Sequence, residues 1–490
     1  MSPLPLATAR NATPLPLAAL PMLDIEAFRR AVVAAGRRLL FLGGLARVGD
    51  TVRLLAALAN DPDGEIAVCA TDVAGGYPAL TSDVASAHYF EREIFEQWGI
   101  EPHGHPWLKP VRFPPGGPVI GDAHFFDVAG EEVHEVAVGP VHAGVIEPGH
   151  FRFNCHGERV LHLEIALGYQ HRGVEKALRG GPHRTSAHLA ETVAGDTTIG
   201  HAIAYCQILE GLADVQCSAY ALRLRAIALE LERIANHIGD LGALAGDVGF
   251  LPAAAYCGRL RGDVLNLTAE LCGSRLGRGL VRPGGVAHAP DADCRAQLKR
   301  RLAAAERDMQ SAVGLMWKSS SLRARFESTA VLTKAAAEEL GTVGPAARAS
   351  GVDRDCRRDF PLPLYPRGGP QAAIGENGDV FARAMQRWRE IQSALKFLNE
   401  VLDDPGDGPA QQIVGSLVPN AVVLSLAEGW RGEILHLAVT DADGRFAQYR
   451  IVDPSFRNWF ALAIAMRDQA ILDFPLCNKS FNLSYCGHDL

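Results

Sequence analysis

Residues 219–244 read AYALRLRAIALELERIANHIGDLGAL, and this stretch determines the helical part of the molecule. Its apolar residues recur at alternating steps of three and four, at Leu224, Ile227, Leu231, Ile234, Ile238 and Leu241. That spacing places one apolar stripe along a helix, so the stretch predicts a long helix that packs against others in a bundle. The charged residues within the same stretch exclude a membrane span.

The composition of the whole chain is that of a globular protein. Of its 490 residues, 48% are apolar and 21% are charged. These values exclude a disordered chain, a collagen and a coiled-coil rod. The formal net charge of -8 argues against a nucleic-acid partner. Because the first residues lack a charged region followed by an unbroken apolar run, no secretory leader is predicted.

The spacing of the ten cysteines argues against a cysteine-based metal site within the chain. No two cysteines lie three residues apart, which is about the spacing that one turn needs to hold an ion with two sulfurs. A disulfide framework is not expected in a long chain without a leader. The cysteines are therefore interpreted as free, reduced thiols.

Pro- and Gly-rich segments divide the chain into parts. We predict four parts, namely a flexible N-terminal arm over 1–22, a small α/β domain over 23–113, a linker over 114–132 and a large domain over 133–490. In the small domain we predict helices over 25–40, 50–60 and 91–98 and a strand over 66–71. In the large domain we predict strands over 133–138, 159–166, 434–440 and 446–452, a mainly helical stretch over 185–340, an irregular loop over 341–378, and helices over 381–402 and 454–472.

Several motifs, in a consistent order, resemble two related families. Residues 91–100 (EREIFEQWGI) and 104–109 (GHPWLK) resemble the 30-kDa subunit of respiratory complex I. Residues 139–142 (GPVH), 147–151 (EPGHF) and 168–176 (GYQHRGVEK) resemble both the complex I 49-kDa subunit and the large subunits of energy-converting nickel–iron hydrogenases of the formate-hydrogenlyase type. Further matches are Arg233, 236–237, 247–249, 282–286, 431–433, Arg450 and 453–459.

The resemblance implies an α+β protein in which both subunits are fused. A small α/β domain like the 30-kDa subunit would precede a large helical-bundle domain with β-sheet elements, like a hydrogenase large subunit. Members of the hydrogenase family hold nickel and iron with two Cys-x-x-Cys pairs. Aligned on His201 and on the C-terminal motif, those four positions carry Ala194, Thr197, Ser484 and Gly487. Because none of these supplies the soft thiolate that nickel needs, no metal is expected here.

The quinone mechanism of complex I does not carry over either. The tyrosine that binds the quinone head group in that family maps to Gly195, and the histidine maps to Ile146. Neither residue offers the hydrogen-bond donor that a quinone carbonyl needs. A quinone site elsewhere in the chain stays open.

The candidate functional residues are the polar groups near the former metal positions. The resemblance implies proton transfer at Glu147, and His142 and His150 are candidate proton carriers because histidine titrates near neutrality. Asp196 and His201 are expected to line the former site. A proton or conformational relay toward the membrane is the hypothesis for His171, Arg172, Glu175 and Lys176. For each group the alternative is a structural role, as a loop contact or an ion pair.

The resemblance implies a soluble, peripheral subunit on the cytoplasmic side of the inner membrane. It would serve a complex related to energy-converting hydrogenases and complex I, which couples electron transfer or conformational change to ion translocation. The expected partners are a small subunit that carries an iron–sulfur cluster, and antiporter-like and other integral membrane subunits. Two alternatives stay open: an active NADH/quinone-type oxidoreductase subunit that uses the surviving cavity, and a non-redox scaffold of an ion-gradient-coupled transport complex.

Overall fold

A computed structural model describes residues 5–34, 37–122, 124–361, 363–365, 369–370 and 374–490. The N-terminal part is built on a four-stranded antiparallel sheet with strand order β1–β5–β4–β3. Its strands are β1 (Ala7–Arg10), β3 (Arg38–Val48), β4 (Thr51–Asn60) and β5 (Glu65–Val73). Two helices, α1 (Ile25–Val33) and α2 (His88–Trp98), and a parallel pair of short strands, β6 (Gly76–Pro78) and β7 (Glu101–His103), accompany it.

A second four-stranded sheet links the two parts of the molecule. Its order is β15–β14–β13–β2, formed by β2 (Leu15–Pro16), β13 (Ala421–Gly429), β14 (Gly432–Thr440) and β15 (Phe446–Val452). Successive side chains of a strand point to opposite faces. Accordingly Val422 and Leu424 pack with the N-terminal sheet, whereas Val423 and Ala427 pack with the helices. The second sheet is therefore covered on both faces.

The remainder is a helical bundle with a three-stranded sheet at its edge. That sheet has the order β10–β9–β8 and consists of β8 (Val133–Val138), β9 (His150–His156) and β10 (Arg159–Ala166). The longer helices are α5 (Thr198–Leu212), α6 (Ala219–Asp247), α7 (Leu251–Cys272), α8 (Ala292–Lys318), α13 (Val380–Asp403) and α14 (Pro454–Ala465). The shorter elements are α3 (Val174–Leu178), α4 (Ser186–Glu191), β11 (Val281–Arg282), β12 (Gly285–Val286), α9 (Ser320–Phe326), α10 (Lys334–Glu339), α11 (Gly344–Ala349), α12 (Cys356–Asp359), α15 (Phe474–Phe481) and α16 (Tyr485–Asp489).

The apolar stripe in the opening stretch behaves as predicted. All six of its residues are buried in the bundle core, and α6 is capped by Ser218, whose side chain accepts a hydrogen bond from the backbone N–H of Ala221. The predicted end of α2 is also confirmed, because Gly99 adopts a left-handed conformation with φ 69° directly after the helix. The α+β class is thus correct. Among the described residues no helix is both long and apolar enough to cross a membrane.

Two helices predicted near the N-terminus are wrong. Residues 51–60 form strand β4, and residues 38–48 form strand β3, so the first helix ends at Val33. The cause is burial on both faces: most side chains of β4 lie in the core between the helices and the second sheet. A strand buried on both faces is a continuous apolar run, which periodicity does not distinguish from a helix.

The arm predicted to be flexible is held in both sheets. Residues 7–10 pair with β5, and residues 15–16 pair with β13. Met1 to Leu4 of that arm lie outside the described residues. The Pro-rich sequence shows no strand pattern, because each pairing is short and lies at the edge of its sheet.

Two predicted segments of the large domain differ from the structure in detail. The last long helix ends at Ala465 rather than at 472, and the predicted loop 341–378 contains the short helices α11 and α12. Part of that loop lies outside the described residues. The described part of 114–132 contains neither helix nor strand, as expected of a linker.

Candidate functional site

Two segments that are distant in sequence meet around Arg431. The Arg431 guanidinium donates to both carboxylate oxygens of Asp196, at 2.6 and 2.8 Å, and its Nε donates to the backbone carbonyl of Asn482 at 2.5 Å. A second arginine, Arg172, donates to the carbonyls of Val193 (2.8 Å) and Cys486 (3.1 Å). We call the region formed by residues 193–197, Arg431 and residues 482–487 the Arg431 site.

The four positions predicted to have lost metal ligands lie in these two segments. Ala194, Thr197, Ser484 and Gly487 are all buried. Each is accommodated by ordinary packing: Ser484 caps α16 by accepting from the backbone N–H of Gly487, at 2.9 Å. A Cβ atom added at Gly487 would lie 2.7 Å from the carboxylate carbon of Asp453. A cysteine there would therefore collide with Asp453.

The donor set of the Arg431 site does not fit nickel. Ala194 and Gly487 have no ligand atom, Thr197 and Ser484 offer only hydroxyls, and nickel in such a site requires soft thiolates. Within the described ranges, no group of three or more His, Cys, Asp or Glu residues is arranged to hold a metal ion. The Arg431 site therefore does not supply the ligands of a nickel centre.

Glu147, the residue singled out for proton transfer, contacts the C-terminal segment. Its Oε2 accepts from the backbone N–H of Tyr485 at 3.3 Å. Burial, reinforced by the Glu147 charge, raises the pKa of the neighbouring Cys486 thiol to about 11. Cys486 is thus a neutral thiol at neutral pH and is neither a nucleophile nor a metal ligand in that form.

His142 and His150 fasten the loop between β8 and β9. The His142 Nε2 lies 2.9 Å from the carbonyl oxygen of Gly149, and the His150 Nδ1 lies 3.3 Å from that of Gly139. Both rings therefore bond to their own loop, which supports the structural alternative for them. The Nε2 of His150 is buried and has no hydrogen-bond partner among the described residues.

His201 belongs to a buried chain of four hydrogen-bonded side chains. Its Nε2 lies 3.0 Å from Oδ2 of Asp453, and its Nδ1 lies 3.0 Å from Nε2 of His436. The Nδ1 of His436 lies 2.8 Å from the Tyr449 hydroxyl. Burial and the nearby His201 lower the pKa of His436 well below its ordinary value, so that ring is neutral.

Sequence reasoning identified His201 but missed its three partners. His436 and Tyr449 lie on β14 and β15 at inward-facing positions among apolar residues, and Asp453 is the N-cap of α14. An inward polar residue on a buried strand is the signal that could have found the first two. Asp453 lies in the motif 453–459, which carries no local sign of its partner.

The four residues assigned to a relay toward the membrane do not form one cluster. His171 bonds through Nδ1 to the carbonyl of Asp489 at 2.9 Å, and Arg172 bonds to carbonyls of the Arg431 site. Glu175 is buried and pairs with Arg450 at 3.1 Å, whereas Lys176 is exposed. Only Glu175 therefore enters a buried ionic network.

That network joins the N-terminal part to the bundle. Arg450 pairs with Glu175 and with Glu93 of α2 (2.6 Å), and Glu93 also accepts from Arg112 at 2.7 Å. Burial alone would raise the pKa of Glu93, but Arg112 and Arg450 hold it below its ordinary value. Burial raises the pKa of Glu175. These contacts fix the two parts against each other.

Glu232 is a further residue that the sequence did not single out. It lies on α6, and its two carboxylate oxygens accept from the backbone N–H groups of Ile199 (2.7 Å) and Gly200 (3.2 Å) at the start of α5. Burial raises its pKa to about 8, and the charge of Asp196 adds to the rise. Glu232 is thus a titratable group beside the Arg431 site.

Comparison with known proteins agrees with the motifs. Residues 247–417 match the family model for the 49 Kd subunit of respiratory-chain NADH dehydrogenase. The chain is 29% identical to the carbon monoxide-induced hydrogenase of Rhodospirillum rubrum, over 71% of this chain and 97% of that protein. It is 27% identical to formate hydrogenlyase subunit 5 of Escherichia coli, over 84% of this chain and 77% of that protein.

A further relative and a solved structure extend the comparison. Hydrogenase-4 component G of Escherichia coli is 26% identical over 84% of this chain and 76% of that protein. A chain from the membrane-bound sulfane sulfur reductase, an archaeal respiratory membrane complex, superposes with a TM-score of 0.69 at 22% identity, covering 73% of this chain and 99% of that chain. This last likeness shows a shared fold.

These matches show which class of protein the chain resembles. It is similar to hydrogenase and formate hydrogenlyase subunits and, over residues 247–417, to the 49 Kd subunit of respiratory-chain NADH dehydrogenase. Within that class it resembles the longer members, since its matches to formate hydrogenlyase subunit 5 and to Hydrogenase-4 component G cover most of both chains. The predicted boundaries at 22, 113 and 132 stay predictions.

Proposed function

We propose that this chain is a peripheral subunit of a membrane-bound, ion-translocating complex related to hydrogenases and complex I, and that its Arg431 site works without nickel. The observation that carries the proposal is the combination of a retained architecture with an altered donor set. The two segments that meet at Arg431 are kept together by arginines, while the four positions that the resemblance aligns with metal ligands carry no thiol.

The partner assignment rests on the relatives. Their names describe hydrogenases, NADH-quinone oxidoreductases and, in Pyrococcus furiosus, a membrane-bound hydrogenase. For this chain we propose a small iron–sulfur subunit and antiporter-like membrane subunits as neighbours, on the cytoplasmic side. We propose no cofactor bound by the chain itself.

An exposed apolar loop supports a partner next to the Arg431 site. The loop between β8 and β9 exposes Val145 to 86% and Ile146 to 57%, and the next residue, Glu147, contacts Tyr485. Adjoining exposed apolar side chains mark interaction surfaces rather than random surface residues. We therefore propose that this loop is covered by a partner subunit.

In this proposal the subunit couples changes of charge in the complex to changes in the protonation of its own carboxylates. Asp196 and Asp453 lie near Arg431, and Glu232 lies beside them. Burial and the charge of Asp196 raise the pKa of Glu232, whereas His201 and Arg431 hold the pKa of Asp453 below its ordinary value despite its burial. A change in charge beside this cluster, from a neighbouring redox group, would change their protonation. We propose that this redox group lies in a partner subunit.

The test is purification of the native complex through a tag on this chain. The proposal predicts co-purification of integral membrane subunits and an iron–sulfur protein. The variant Val145→Asp should lose the complex while keeping the fold, as judged by circular dichroism. The matched variant Leu315→Asp, which replaces another exposed apolar residue on α8, should retain it. A chain that purifies alone from membranes, or a Val145→Asp complex of unchanged composition, contradicts the proposal.

Native purification also separates the two alternatives. Electron transfer to a quinone that stops when Asp196 is replaced would support an active oxidoreductase subunit. A complex with membrane subunits but without an iron–sulfur protein would instead favour a non-redox scaffold.

A further inference from the structure

The chain Asp453–His201–His436–Tyr449 has a defined direction. The carboxylate of Asp453 is an acceptor at both oxygens: Oδ1 accepts from the backbone N–H of Ser455 at 2.7 Å, and Oδ2 faces Nε2 of His201. A carboxylate does not donate, so the His201 proton is on Nε2. In a neutral ring the His201 Nδ1 is then an acceptor for the Nε2–H of His436.

The donor and the acceptor at the Tyr449 end of the chain follow in the same way. With its proton on Nε2, the neutral His436 offers Nδ1 as an acceptor, and the Tyr449 hydroxyl donates to it at 2.8 Å. With both rings neutral, every donor points toward Asp453. All four side chains are buried, so no solvent proton reaches the middle of the chain directly.

The two ends lie in different surroundings. At one end Asp453 adjoins Gly487 and the Arg431 charge, inside the Arg431 site. At the other end the ring of Tyr449 lies 6.2 Å from the ring of Tyr205. Tyr205 lines a surface cavity of about 430 Å³ together with His183, His188 and Arg282. The chain thus runs from the Arg431 site to Tyr449, whose ring lies near a residue that lines the surface cavity.

We propose that these four side chains form a proton relay that delivers a proton from water in the surface cavity to Asp453. In one transfer the Tyr449 O–H proton moves to Nδ1 of His436, the Nε2 proton of His436 moves to Nδ1 of His201, and the Nε2 proton of His201 moves to Oδ2 of Asp453. A proton from cavity water replaces the proton on Tyr449, whose ring packs near Tyr205 at the cavity wall. One proton is translocated, and no electron moves.

The three side-chain contacts of the chain persist in the product state. Afterwards Asp453 donates to His201, the Nδ1–H of His201 donates to His436, and the Nδ1–H of His436 donates to the oxygen of Tyr449. No heavy atom has to move, because each of the three contacts keeps its length and only the proton changes sides.

The direction can be tested by replacing Asp453 with asparagine. The amide oxygen must stay on the N–H of Ser455 to cap α14, so the amide NH₂ group faces His201 and donates to its Nε2. Nitrogen-15 NMR of histidine-labelled, full-length protein should show both rings as Nε2–H tautomers in the wild type and both as Nδ1–H tautomers in Asp453→Asn. Nδ1–H tautomers in the wild type, or no change in the variant, overturn the assignment.

The relay itself is tested by proton exchange with solvent. Tyr449→Phe removes the entry hydroxyl but leaves Asp453, so the tautomers stay while exchange of the His201 and His436 ring protons should slow at least tenfold. The ring proton of His237, buried beside Glu390, is the internal reference for exchange through unfolding. Tyr256→Phe, a change on α7 away from the relay, is the matched control. Unchanged exchange in Tyr449→Phe overturns the relay, and this result is independent of whether the chain binds membrane partners.

Discussion

The guanidinium of Arg431 and the carboxylate of Asp196 form a two-point ion pair that joins the start of α5 to the C-terminal segment. The pair lies beside Thr197, one of the four positions that the resemblance aligns with hydrogenase cysteines. A positively charged side chain with a paired carboxylate thus lies in the region where the resemblance would place the metal site of that family. The Arg431 site is therefore held together by an ion pair, and its properties depend on burial and charge.

Loss of Arg431 should destabilise the fold measurably. Arg431→Met leaves the Asp196 carboxylate and the Asn482 carbonyl without their donor. Because Asp196 is 34% exposed, we expect a loss of about 2 kcal/mol, below the ~3–5 kcal/mol typical of a fully buried pair. Denaturant titration measures it. Arg159→Met, which breaks the exposed pair with Asp468, is the control and should cost under ~1 kcal/mol. Equal losses in both variants would contradict this interpretation.

Glu232 should make the protein less stable as the pH rises. Its folded pKa of about 8 lies above its ordinary value, so the folded state binds the proton more tightly than the unfolded state. The contribution of Glu232 to the free energy of unfolding is therefore complete below about pH 4.5. It declines between about pH 4.5 and about pH 8, by at most ~1.4 kcal/mol per pH unit. Glu232→Gln should remove this slope, whereas Glu131→Gln at an exposed position should keep it. Identical slopes in the wild type and Glu232→Gln would show that Glu232 does not titrate in this range.

Arg450 should be essential to the contact between the N-terminal part and the helical bundle. Arg450→Met leaves Glu93 and Glu175 buried without their shared partner, so we expect a loss of ~3–5 kcal/mol. Limited proteolysis should then release fragments of residues 5–113 more readily. An unaltered cleavage rate, with Arg159→Met as the reference, would mean that the two parts are held together by other contacts.

A methyl group at position 487 should be costly. The Cβ of Gly487→Ala meets the Asp453 carboxylate at 2.7 Å, and overpacking of this kind costs ~1–3 kcal/mol. Gly258→Ala on α7 is the matched change, since nothing lies within 4 Å of its Cβ, and it should stabilise by up to ~1 kcal/mol. Thermal unfolding of both variants measures these changes in stability. If Gly487→Ala is neutral, the space for a cysteine side chain is present after all.

The sequence allowed prediction of those elements whose pattern has one explanation. The stripe of α6 and the strands over 434–440 and 446–452 were predicted because a period of three and four, and two β-rich runs separated by a short turn, have no close competitor. Strand β4 was not, because burial on both faces removes the alternation that marks a strand.

The candidate site was predicted in part, for a similar reason. Asp196 and His201 were identified through a motif that lies in one segment of the chain. Their partners Arg431 and Asp453 are more than 230 residues away in sequence and come close only when the second sheet and α14 pack on α5. No local pattern records such a contact. The hypothesis that Ala194, Thr197, Ser484 and Gly487 replace metal ligands stays a prediction.

Whether the Arg431 site works without nickel is decided by metal analysis of the native complex, purified from membranes through a tag on this chain. We expect integral membrane subunits and iron from an iron–sulfur partner, with nickel far below one atom per copy of the chain. Stoichiometric nickel that co-purifies with the chain would contradict the proposed function.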